Sequence, residues 1–588
     1  MKDFLKYVGA TIVGLFAFSI IIGIFGMMSI VGMIASSEST KNIKDNSVLV
    51  LKLSGSMSEQ TTESLRDKLQ GNTGLGFREV LSAIQKAKDE DHVKGIYIEA
   101  GMLGADLAQM EEIRQALAEF KKNKKFIIAY GEQYSTGSYY ISSVADKVYL
   151  NPSGMVMWMG LGGEIRYVKD ALAKIGVKVV PVKVGKYKSA VEMFTEDKMS
   201  DANREQTERY INGWWDIMVK AVAESRKISP DSLNAYADRV VTLEDRKNLL
   251  KYKMVDGLLY TDQVKGEVKK LLKIEEDKDI RQVSVADMQN VKQKQKGEEV
   301  AVYYAFGDIV DDVIPSNILS GGQQIVGKDV CRDLEALADD KDVKAVVIRI
   351  NSGGGSAYAS EQLWHQITEL KKKKPVVVSM SGAAASGGYY MSSNANWIVA
   401  DPTTITGSIG IFGLFPDFTE LETQKLGFKF DEVKTNRNSV FGSEGRFFTP
   451  EQLGILQQEI ERGYLLFKKR VADGRRLTME QVEALAQGHV YLGQDAIKLK
   501  LVDELGGLDK AVSKAAQLAK LDKYHTKNYP SQPGILEQLM SSQDNNGTYL
   551  DEQLRQTLGS YYEPIRLMNQ IRNMDRIQAR LPFYLTIR

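Results

Sequence analysis

The sequence has few of the residues that form disulfides or bind transition metals. Cys331 is the single cysteine among 588 residues, so an internal disulfide and any metal site with two or more thiolates are excluded. Four histidines in the whole chain argue against a histidine-rich metal centre. The 77 basic and 76 acidic residues leave a net charge of +1, which argues against a protein that mainly binds nucleic acid.

The length and the apolar content indicate several folded units. A chain of 588 residues is too long for one small module, at roughly 150 residues per domain. The 43% of hydrophobic residues is typical of globular cores and excludes a wholly disordered chain.

A long uncharged segment lies near the start of the sequence. No charged residue occurs from 7 to 37, and residues 8–35 are almost wholly apolar. About 20 such residues span a bilayer as a helix, whereas the apolar part of a cleaved signal peptide, the alternative, has only ~7–15. Residues 1–37 are therefore predicted to form a retained transmembrane anchor. Lys2 and Lys6 place its short N-terminal side in the cytoplasm by the positive-inside rule, and the remaining chain across the membrane.

The sequence is internally duplicated at an offset of 250 residues. Residues 93–98 resemble residues 343–348, and residues 137–143 resemble residues 387–393. From 136 to 152 the offset gives seven identities, where residue frequencies predict about one. Such a long offset indicates duplication of a whole domain rather than a short repeat.

Apolar runs alternate with helical patterns in each copy. In the second copy, residues 345–350 and 375–380 are predicted strands, residues 361–370 a helix, and residue 387 the start of another helix. This alternation predicts an α/β fold with right-handed βαβ units and mostly parallel sheets. The predicted units are the anchor at 1–37, a first repeat at 46–274, a polar linker at 275–299, a second repeat at 300–521, and a tail at 522–588 that is a candidate for oligomerisation.

A glycine-rich run follows the first predicted strand of the second repeat. The sequence Asn-Ser-Gly-Gly-Gly-Ser at 351–356 allows backbone N–H groups to approach a ligand closely. It lacks both the Gly-Lys-Ser/Thr ending of a Walker loop and the GxGxxG spacing. Two interpretations of this run stay open: a pair of N–H donors for an oxyanion, and a tight turn between a strand and a helix.

Ser386 lies among small residues between a predicted strand and a predicted helix. A serine at this position usually caps the helix, but a nucleophile needs the same setting of small neighbours and N–H groups directed at developing charge. None of the four histidines lies in a matched motif to serve as its base. A lysine whose pKa is lowered by burial is another base, and Lys188 is a candidate that composition alone does not select.

Taken together, the apolar segment, the duplication and three motifs resemble the long, two-domain form of the bacterial signal peptide peptidase A family. The motifs are Tyr-Lys-Ser-Ala from 187, Asn-Ser-x-Gly-Gly-Ser from 351 and Ala-Ser-Gly-Gly-Tyr from 385, and residues 406–413 match a further motif of that family. The resemblance implies a Clp/crotonase-like fold and a serine protease that needs no metal or other cofactor. It also implies a homo-oligomer, with a tetramer favoured, in the bacterial inner membrane, with catalytic domains on the periplasmic side and cleaved signal peptides as substrates.

The same resemblance implies the roles of individual residues. Ser386 is the expected nucleophile and Lys188 the general base. The N–H of Gly387, together with that of Gly354 or Gly355, is expected to form the oxyanion hole. Ser189 is a candidate to hydrogen-bond the base, with an ordinary turn serine as the alternative.

The duplication predicts a composite site. At the 250-residue offset Ser386 corresponds to Thr136, and Lys188 corresponds to Asn438. The first repeat has therefore kept the lysine and the second the serine, and Thr136 is interpreted as a relic. Two alternatives remain, a crotonase-type acyl-CoA enzyme and a catalytically inactive membrane scaffold.

Overall fold

The computed structural model describes residues 42–61, 74–291, 296–313, 323–443, 445–530 and 577–581, together with eight positions among the first 22. Of the predicted anchor, residues 1–37, only those eight positions are among the described residues. Within the described part of the chain, no helix combines the length and apolar character needed to cross a bilayer.

Strands and helices alternate along the described chain. The strands are β1 (Ser47–Ser58), β2 (Leu75–Gly76), β3 (Val93–Gly104), β4 (Phe126–Tyr134), β5 (Lys147–Val156), β6 (Lys178–Lys183), β7 (Gly257–Leu258), β8 (Arg281–Ser284), β9 (Glu298–Phe306), β10 (Asp308–Val310), β11 (Gln324–Val326), β12 (Val343–Ser352), β13 (Gly354–Ser356), β14 (Val376–Ala385), β15 (Trp397–Ala400), β16 (Ile405–Gly407), β17 (Phe412–Asp417), β18 (Val490–Leu492), β19 (Glu504–Leu505), β20 (Tyr524–Tyr529) and β21 (Ile577–Arg580). The α-helices are α1 (Phe77–Asp89), α2 (Leu107–Lys122), α3 (Thr136–Ser142), α4 (Lys169–Lys174), α5 (Glu192–Thr195), α6 (Asp201–Arg226), α7 (Pro230–Asp238), α8 (Arg246–Lys251), α9 (Thr261–Leu272), α10 (Val285–Gln289), α11 (Gly327–Asp339), α12 (Ala357–Lys373), α13 (Gly387–Ser392), α14 (Pro450–Arg475), α15 (Met479–Leu485), α16 (Gly493–Ala496) and α17 (Leu508–Leu518).

Two mostly parallel sheets form the centres of the two repeats. The first has the order β2-β1-β3-β4-β5-β7, with β8 beside β1, and all its pairings are parallel. The second has the order β18-β16-β14-β12-β9-β20, and only its β16–β18 pairing is antiparallel. The prediction of an α/β fold with mostly parallel sheets is confirmed.

The duplication seen in the sequence is also present in the order of elements. The series β3, α2, β4, α3 in the first repeat recurs as β12, α12, β14, α13 in the second. The long helices α6 and α14 correspond as well, and each has 26 residues. The predicted duplication is therefore confirmed at the level of structure.

The central strands are apolar along their length because both sheet faces are covered. Val346 packs with Leu334 and Leu363 on one face of β12. Its neighbour Val347 points to the other face and packs among the alanines of α17. Successive side chains of a strand point to opposite faces of the sheet. When both faces are buried, the sequence of the strand is therefore a continuous apolar run.

A third sheet joins the two repeats. Its order is β11-β10-β13-β21-β17-β6, in which β6 belongs to the first repeat and β17 to the second. These two strands are antiparallel, with register partners from Phe412 and Lys183 to Asp417 and Lys178. The chain that leaves β6 is thereby directed toward the carboxyl end of β14.

A buried ion-pair network also connects the repeats. Arg349, on β12, is fully buried and lies 2.6 Å from Glu112 Oε1 and 3.1 Å from Glu59 Oε2, both in the first repeat. Desolvation raises the pKa of Glu112, and Arg349 opposes that shift. Because a buried carboxylate without a cation is costly, this network ties the relative position of the repeats to their folding.

Candidate active site

Lys188 and Ser386 meet at the junction of the two repeats. Lys188 Nζ lies 2.7 Å from Ser386 Oγ, although 198 residues separate them in the chain. Ser386 follows β14 directly and precedes α13, whereas Lys188 lies five residues beyond β6. Both side chains are fully buried. The first repeat thus contributes an amine and the second a hydroxyl to one site.

The backbone of Ser386 adopts an unusual conformation. Its φ of +52° and ψ of −113° lie outside the regions that non-glycine residues normally occupy. The Ser386 N–H donates to the carbonyl of Gly407 at 2.8 Å, and its own carbonyl accepts from the N–H of Tyr390 at 2.7 Å. Surrounding structure holds such backbone strain in place, and strain of this kind clusters at functional sites.

The environment of Lys188 favours the neutral amine. Burial removes water from the ammonium and lowers the pKa of Lys188 well below its usual value. The centroid of the Phe412 ring lies 5.8 Å from Lys188 Nζ. A lysine whose pKa is lowered in this way is suited to act as a general base.

Ser408 supplies a second hydroxyl beside the amine. Its Oγ lies 3.1 Å and its carbonyl oxygen 3.4 Å from Lys188 Nζ. The residue is fully buried and has a φ of +50°. The family motif at 406–413 contains Ser408, but the sequence alone predicts no role for it. The serine that directly follows β16 in that motif is the signal that could have identified it.

A short segment around Gly488 packs between the two parts of the site. The N–H of Gly488 donates to the carbonyl of Ile409 at 2.9 Å, and the N–H of Ser408 donates to the carbonyl of His489 at 2.7 Å. Gly488 has a φ of +81°, and a Cβ there would lie 2.7 Å from the backbone nitrogen of Lys188. Only glycine allows this approach. Sequence reasoning missed Gly488.

The glycines predicted for an oxyanion hole lie next to each other. Gly387 is the first residue of α13, where the N–H has no acceptor within the helix. Gly354 has a φ of +101°, and a Cβ on it would lie 2.7 Å from Gly387 N. The N–H of Gly354 donates to Ser352 Oγ at 3.1 Å. Gly355 lies in β13, whose backbone pairs with β10 and β21.

Ser189 lies beside Lys188 in the chain but bonds elsewhere. Its Oγ donates to Asn203 Oδ1 at 2.9 Å and accepts from Gln206 Nε2 at 3.1 Å. The residue is buried and begins a short 3₁₀ turn. The hydroxyl that lies at hydrogen-bond distance from Lys188 Nζ, besides that of Ser386, belongs to Ser408.

The positions that correspond to Ser386 and Lys188 at the 250-residue offset do not form a second site of this kind. Thr136 Oγ1 donates to the carbonyl of Met157 at 3.1 Å. Asn438, at the position that corresponds to Lys188, is exposed, and its Oδ1 accepts from Gln452 Nε2 at 3.1 Å. Within the residues described, no histidine ring forms a hydrogen bond with Ser386 or Lys188.

Comparison with known protein families gives one match of wide extent. The model of peptidase family S49 matches residues 119–275 and 368–522, one segment in each repeat. A CoA-ligase model matches residues 286–406, a shorter stretch that overlaps the second peptidase segment.

Curated relatives resemble the chain over most of its length. Protease 4 of Salmonella typhi is 37% identical over 546 residues, covering 90% of this chain and 86% of that protein. Protease 4 of Haemophilus influenzae is 37% identical, with 84% and 82% covered. The chloroplastic serine protease SPPA of Arabidopsis thaliana is 28% identical, with 82% and 70% covered. A solved ClpP1 mutant of Listeria monocytogenes overlaps 36% of this chain and 94% of its own, at 16% identity and a TM-score of 0.25, too low to carry a conclusion.

Proposed function

Because the chain belongs to peptidase family S49 and is a serine peptidase of the SppA type, we propose that it cleaves peptides with a Ser/Lys dyad. Ser386 is the nucleophile of this proposal and Lys188 its general base. The single observation that carries the assignment is the 2.7 Å distance between Lys188 Nζ and Ser386 Oγ inside a fully buried site.

The first half of the reaction is acylation of the enzyme. Neutral Lys188 accepts the proton of the Ser386 hydroxyl while Oγ attacks the peptide carbonyl carbon. The resulting ammonium then donates that proton to the leaving amine as the C–N bond breaks. The lowered pKa of Lys188 supports this role, since the base must be unprotonated before it can act.

Backbone N–H groups stabilise the charge that develops on the carbonyl oxygen. The N–H of Gly387 is suited to this task because it opens α13 and has no helical acceptor. A second donor from the Gly354–Gly355 pair would complete the hole. Water then attacks the acyl-enzyme with Lys188 as base, releasing the carboxylate and restoring Ser386.

The proposed substrates are cleaved signal peptides, which are apolar and flexible. The uncharged segment at residues 7–37 supports a membrane anchor close to such substrates. We propose that the catalytic repeats lie on the periplasmic side of the bacterial inner membrane. Lys2 and Lys6 support this orientation, because the positive-inside rule keeps the short N-terminal end in the cytoplasm. Retention of the full-length chain in the membrane pellet after alkaline carbonate extraction tests the anchor.

A homo-oligomer, with a tetramer favoured, is part of the same proposal. Exposed apolar side chains between β17 and α14 support an interaction surface, among them Leu426, Phe428, Phe430 and Val433. The 95% exposure of Val433 is high for an apolar residue of a monomeric protein. Light scattering of the detergent-solubilised chain measures the subunit number.

Hydrolysis of an apolar peptide ester by the full chain in detergent tests the dyad. Ser386→Ala and Lys188→Ala are each expected to lower kcat/KM at least about a hundredfold, because each removes a group that takes part in proton transfer or bond formation. Lys186→Ala is the matched control: this lysine lies two residues from the base, is exposed, and is expected to leave kcat/KM unchanged.

The outcomes separate the proposal from its alternatives. Unchanged rates in both Ser386→Ala and Lys188→Ala would contradict the dyad. A chain that hydrolyses neither the ester nor a signal-sequence peptide would favour the inactive scaffold. Turnover of an acyl-CoA thioester that is independent of Lys188 would favour the crotonase type.

A further inference from the structure

Lys188 is the central residue of a tight turn. Its φ is −78° and its ψ is 76°, and the N–H of Ser189 donates to the carbonyl of Tyr187 at 2.9 Å. These values are those of an inverse γ-turn, which is closed by one hydrogen bond between residues two apart. The direction in which the lysine side chain leaves the turn therefore depends on what holds the two flanking residues.

Gln206 bonds to both residues that flank Lys188. This glutamine lies near the start of α6 and is only 2% exposed. Its Nε2 donates to the carbonyl of Tyr187 at 3.2 Å and to Ser189 Oγ at 3.1 Å. One amide nitrogen thus holds the residue before the base and the residue after it.

The oxygen of the same amide bonds to the second repeat. The N–H of Val490, the first residue of β18, donates to Gln206 Oε1 at 3.3 Å. A backbone N–H only donates and a backbone carbonyl only accepts, so these partners fix which end of the amide faces each repeat. The side chain of Gln206 therefore spans the boundary between the repeats.

The two residues before Val490 contact the base and its hydroxyl neighbour. Gly488 packs against the backbone of the base, and the carbonyl of His489 accepts from the N–H of Ser408 at 2.7 Å. The bond from Val490 to Gln206 comes next along this segment. The amide thus connects the turn of the base to the segment that holds its hydroxyl neighbour.

A second buried amide orients the first. Asn203 lies three residues before Gln206, on the same face of α6, and is buried. Its Oδ1 accepts from Ser189 Oγ at 2.9 Å, and its Nδ2 donates to Glu192 Oε2 at 3.0 Å. Because the single proton of the Ser189 hydroxyl goes to Asn203, that hydroxyl is left as an acceptor for Gln206.

We propose that Gln206 is a positioning residue for the reaction. Its amide closes the turn that carries Lys188 and ties that turn to the segment of the second repeat that holds Ser408. The lysine is thereby directed at Ser386 across the boundary between the repeats. This inference rests on the proposed function, since it takes Lys188 as the general base.

A positioning role has a kinetic signature that a contribution to folding lacks. Small misplacements of a catalytic group cost up to roughly 100-fold in rate, so loss of the amide should lower kcat at constant KM. A released turn also admits water to the buried amine, so the pKa of Lys188 rises and the acidic limb of kcat/KM moves to higher pH. A residue that only stabilises the fold would reduce the number of active molecules and leave both kcat per active site and the limb unchanged.

The test is hydrolysis of an apolar peptide ester by the full chain in detergent. Active sites are counted by complete labelling of Ser386 with an apolar fluorophosphonate, and kcat is expressed per active site. Gln206→Met keeps the length of the side chain and removes its hydrogen bonds. Its kcat should fall about 10- to 100-fold at unchanged KM, with the acidic limb at higher pH. Asn212→Leu removes an exposed amide from the same helix and should match the wild type.

A milder variant covers the case in which Gln206→Met folds poorly. Gln206→Asn keeps a buried amide, but the side chain is one methylene shorter and cannot bond both repeats at once. It should lower kcat per active site and raise the pH of the acidic limb, each by less than Gln206→Met.

The outcomes distinguish this inference from the proposed function. A wild-type kcat per active site or a wild-type acidic limb in every Gln206 variant that folds would overturn the positioning role alone, provided that Lys188→Ala still abolishes hydrolysis. A rise in KM at constant kcat would also overturn it, because Gln206 would then act on substrate binding. Hydrolysis that persists at the wild-type rate in Lys188→Ala would overturn the dyad, and the positioning role with it.

Discussion

Lys183 of the first repeat is the register partner of Phe412 of the second, at the end of an antiparallel strand pair nearest the site. Lys188 lies five residues beyond Lys183, and Ser408 four residues before Phe412. The pairing therefore brings the amine and its hydroxyl neighbour together across the boundary between the repeats. In the proposed mechanism, a base from one repeat acts on a nucleophile of the other, and this strand pair fixes the separation of the two groups.

Removing the Ser408 hydroxyl should impair the base without removing it. We expect Ser408→Ala to lower kcat/KM about 10- to 100-fold, the effect of losing one hydrogen bond to an ionisable group. Ser408→Gly separates this effect from backbone strain, since glycine adopts the φ of +50° freely. Equal losses in the two variants support the hydroxyl's role. Full activity in either would contradict it.

The close packing of Gly488 against Lys188 predicts a strong effect from one added carbon. Gly488→Ala would place a Cβ 2.7 Å from the Lys188 backbone nitrogen at a positive φ. We expect at least a tenfold loss of kcat/KM and about 1–3 kcal/mol of lost stability. Gly454→Ala is the control, because Gly454 is exposed on α14 with no atom within 4 Å of an added Cβ. It should retain full activity and gain about 0.5–1 kcal/mol in urea unfolding.

The ion pairs of Arg349 should be essential to the association of the repeats. Arg349→Met leaves Glu59 and Glu112 buried without their cation and is expected to cost about 3–5 kcal/mol in urea unfolding. Lys372→Met breaks an exposed pair with Glu369 and should cost less than about 1 kcal/mol. Similar small losses in both variants would show that the network does not hold the repeats together.

Glu111 on α2 predicts a pH dependence of stability. Burial raises the pKa of its carboxyl from 4.5 to about 7, so the folded chain holds a proton that the unfolded chain releases. The contribution of this proton to the free energy of unfolding is fully present below pH 4.5 and is lost as the pH rises through 7.

Glu111→Gln should remove this pH dependence. The amide keeps an acceptor for Thr403 Oγ1, which donates to Glu111 at 2.9 Å. Between pH 5 and pH 8 the wild type should lose up to about 3 kcal/mol more stability than the variant. Glu119→Gln, at an exposed site of the same helix, should behave as the wild type. Parallel stability curves for wild type and Glu111→Gln would contradict the prediction.

Much of the fold follows from local patterns in the sequence. The predicted strand at 345–350 lies within β12, and the predicted helix at 361–370 lies within α12. Apolar runs and helical periodicity are short-range signals, and the 250-residue offset repeats them in both halves. Such signals predict each element and its copy with little ambiguity.

The third sheet and the details of the site depend on contacts that no local pattern encodes. The β6–β17 pairing joins segments more than 200 residues apart. Ser408 and Gly488 become site residues only through that junction, and β21 comes from the tail, for which the sequence suggests only a role in oligomerisation. In contrast, Lys188 is selected by family resemblance, since the burial of a lysine cannot be inferred from its neighbours in sequence. The local setting of Ser386 makes it a candidate, and the resemblance implies its role as nucleophile.

The pH dependence of kcat/KM for an apolar peptide ester tests the central claim most directly. The acidic limb of that profile reports the pKa of the essential base in the free enzyme. If Lys188 acts as an amine that burial keeps neutral, the limb lies well below the ordinary lysine value of about 10.4. A limb at or above that value, in a wild type whose activity still requires Lys188, would contradict the account.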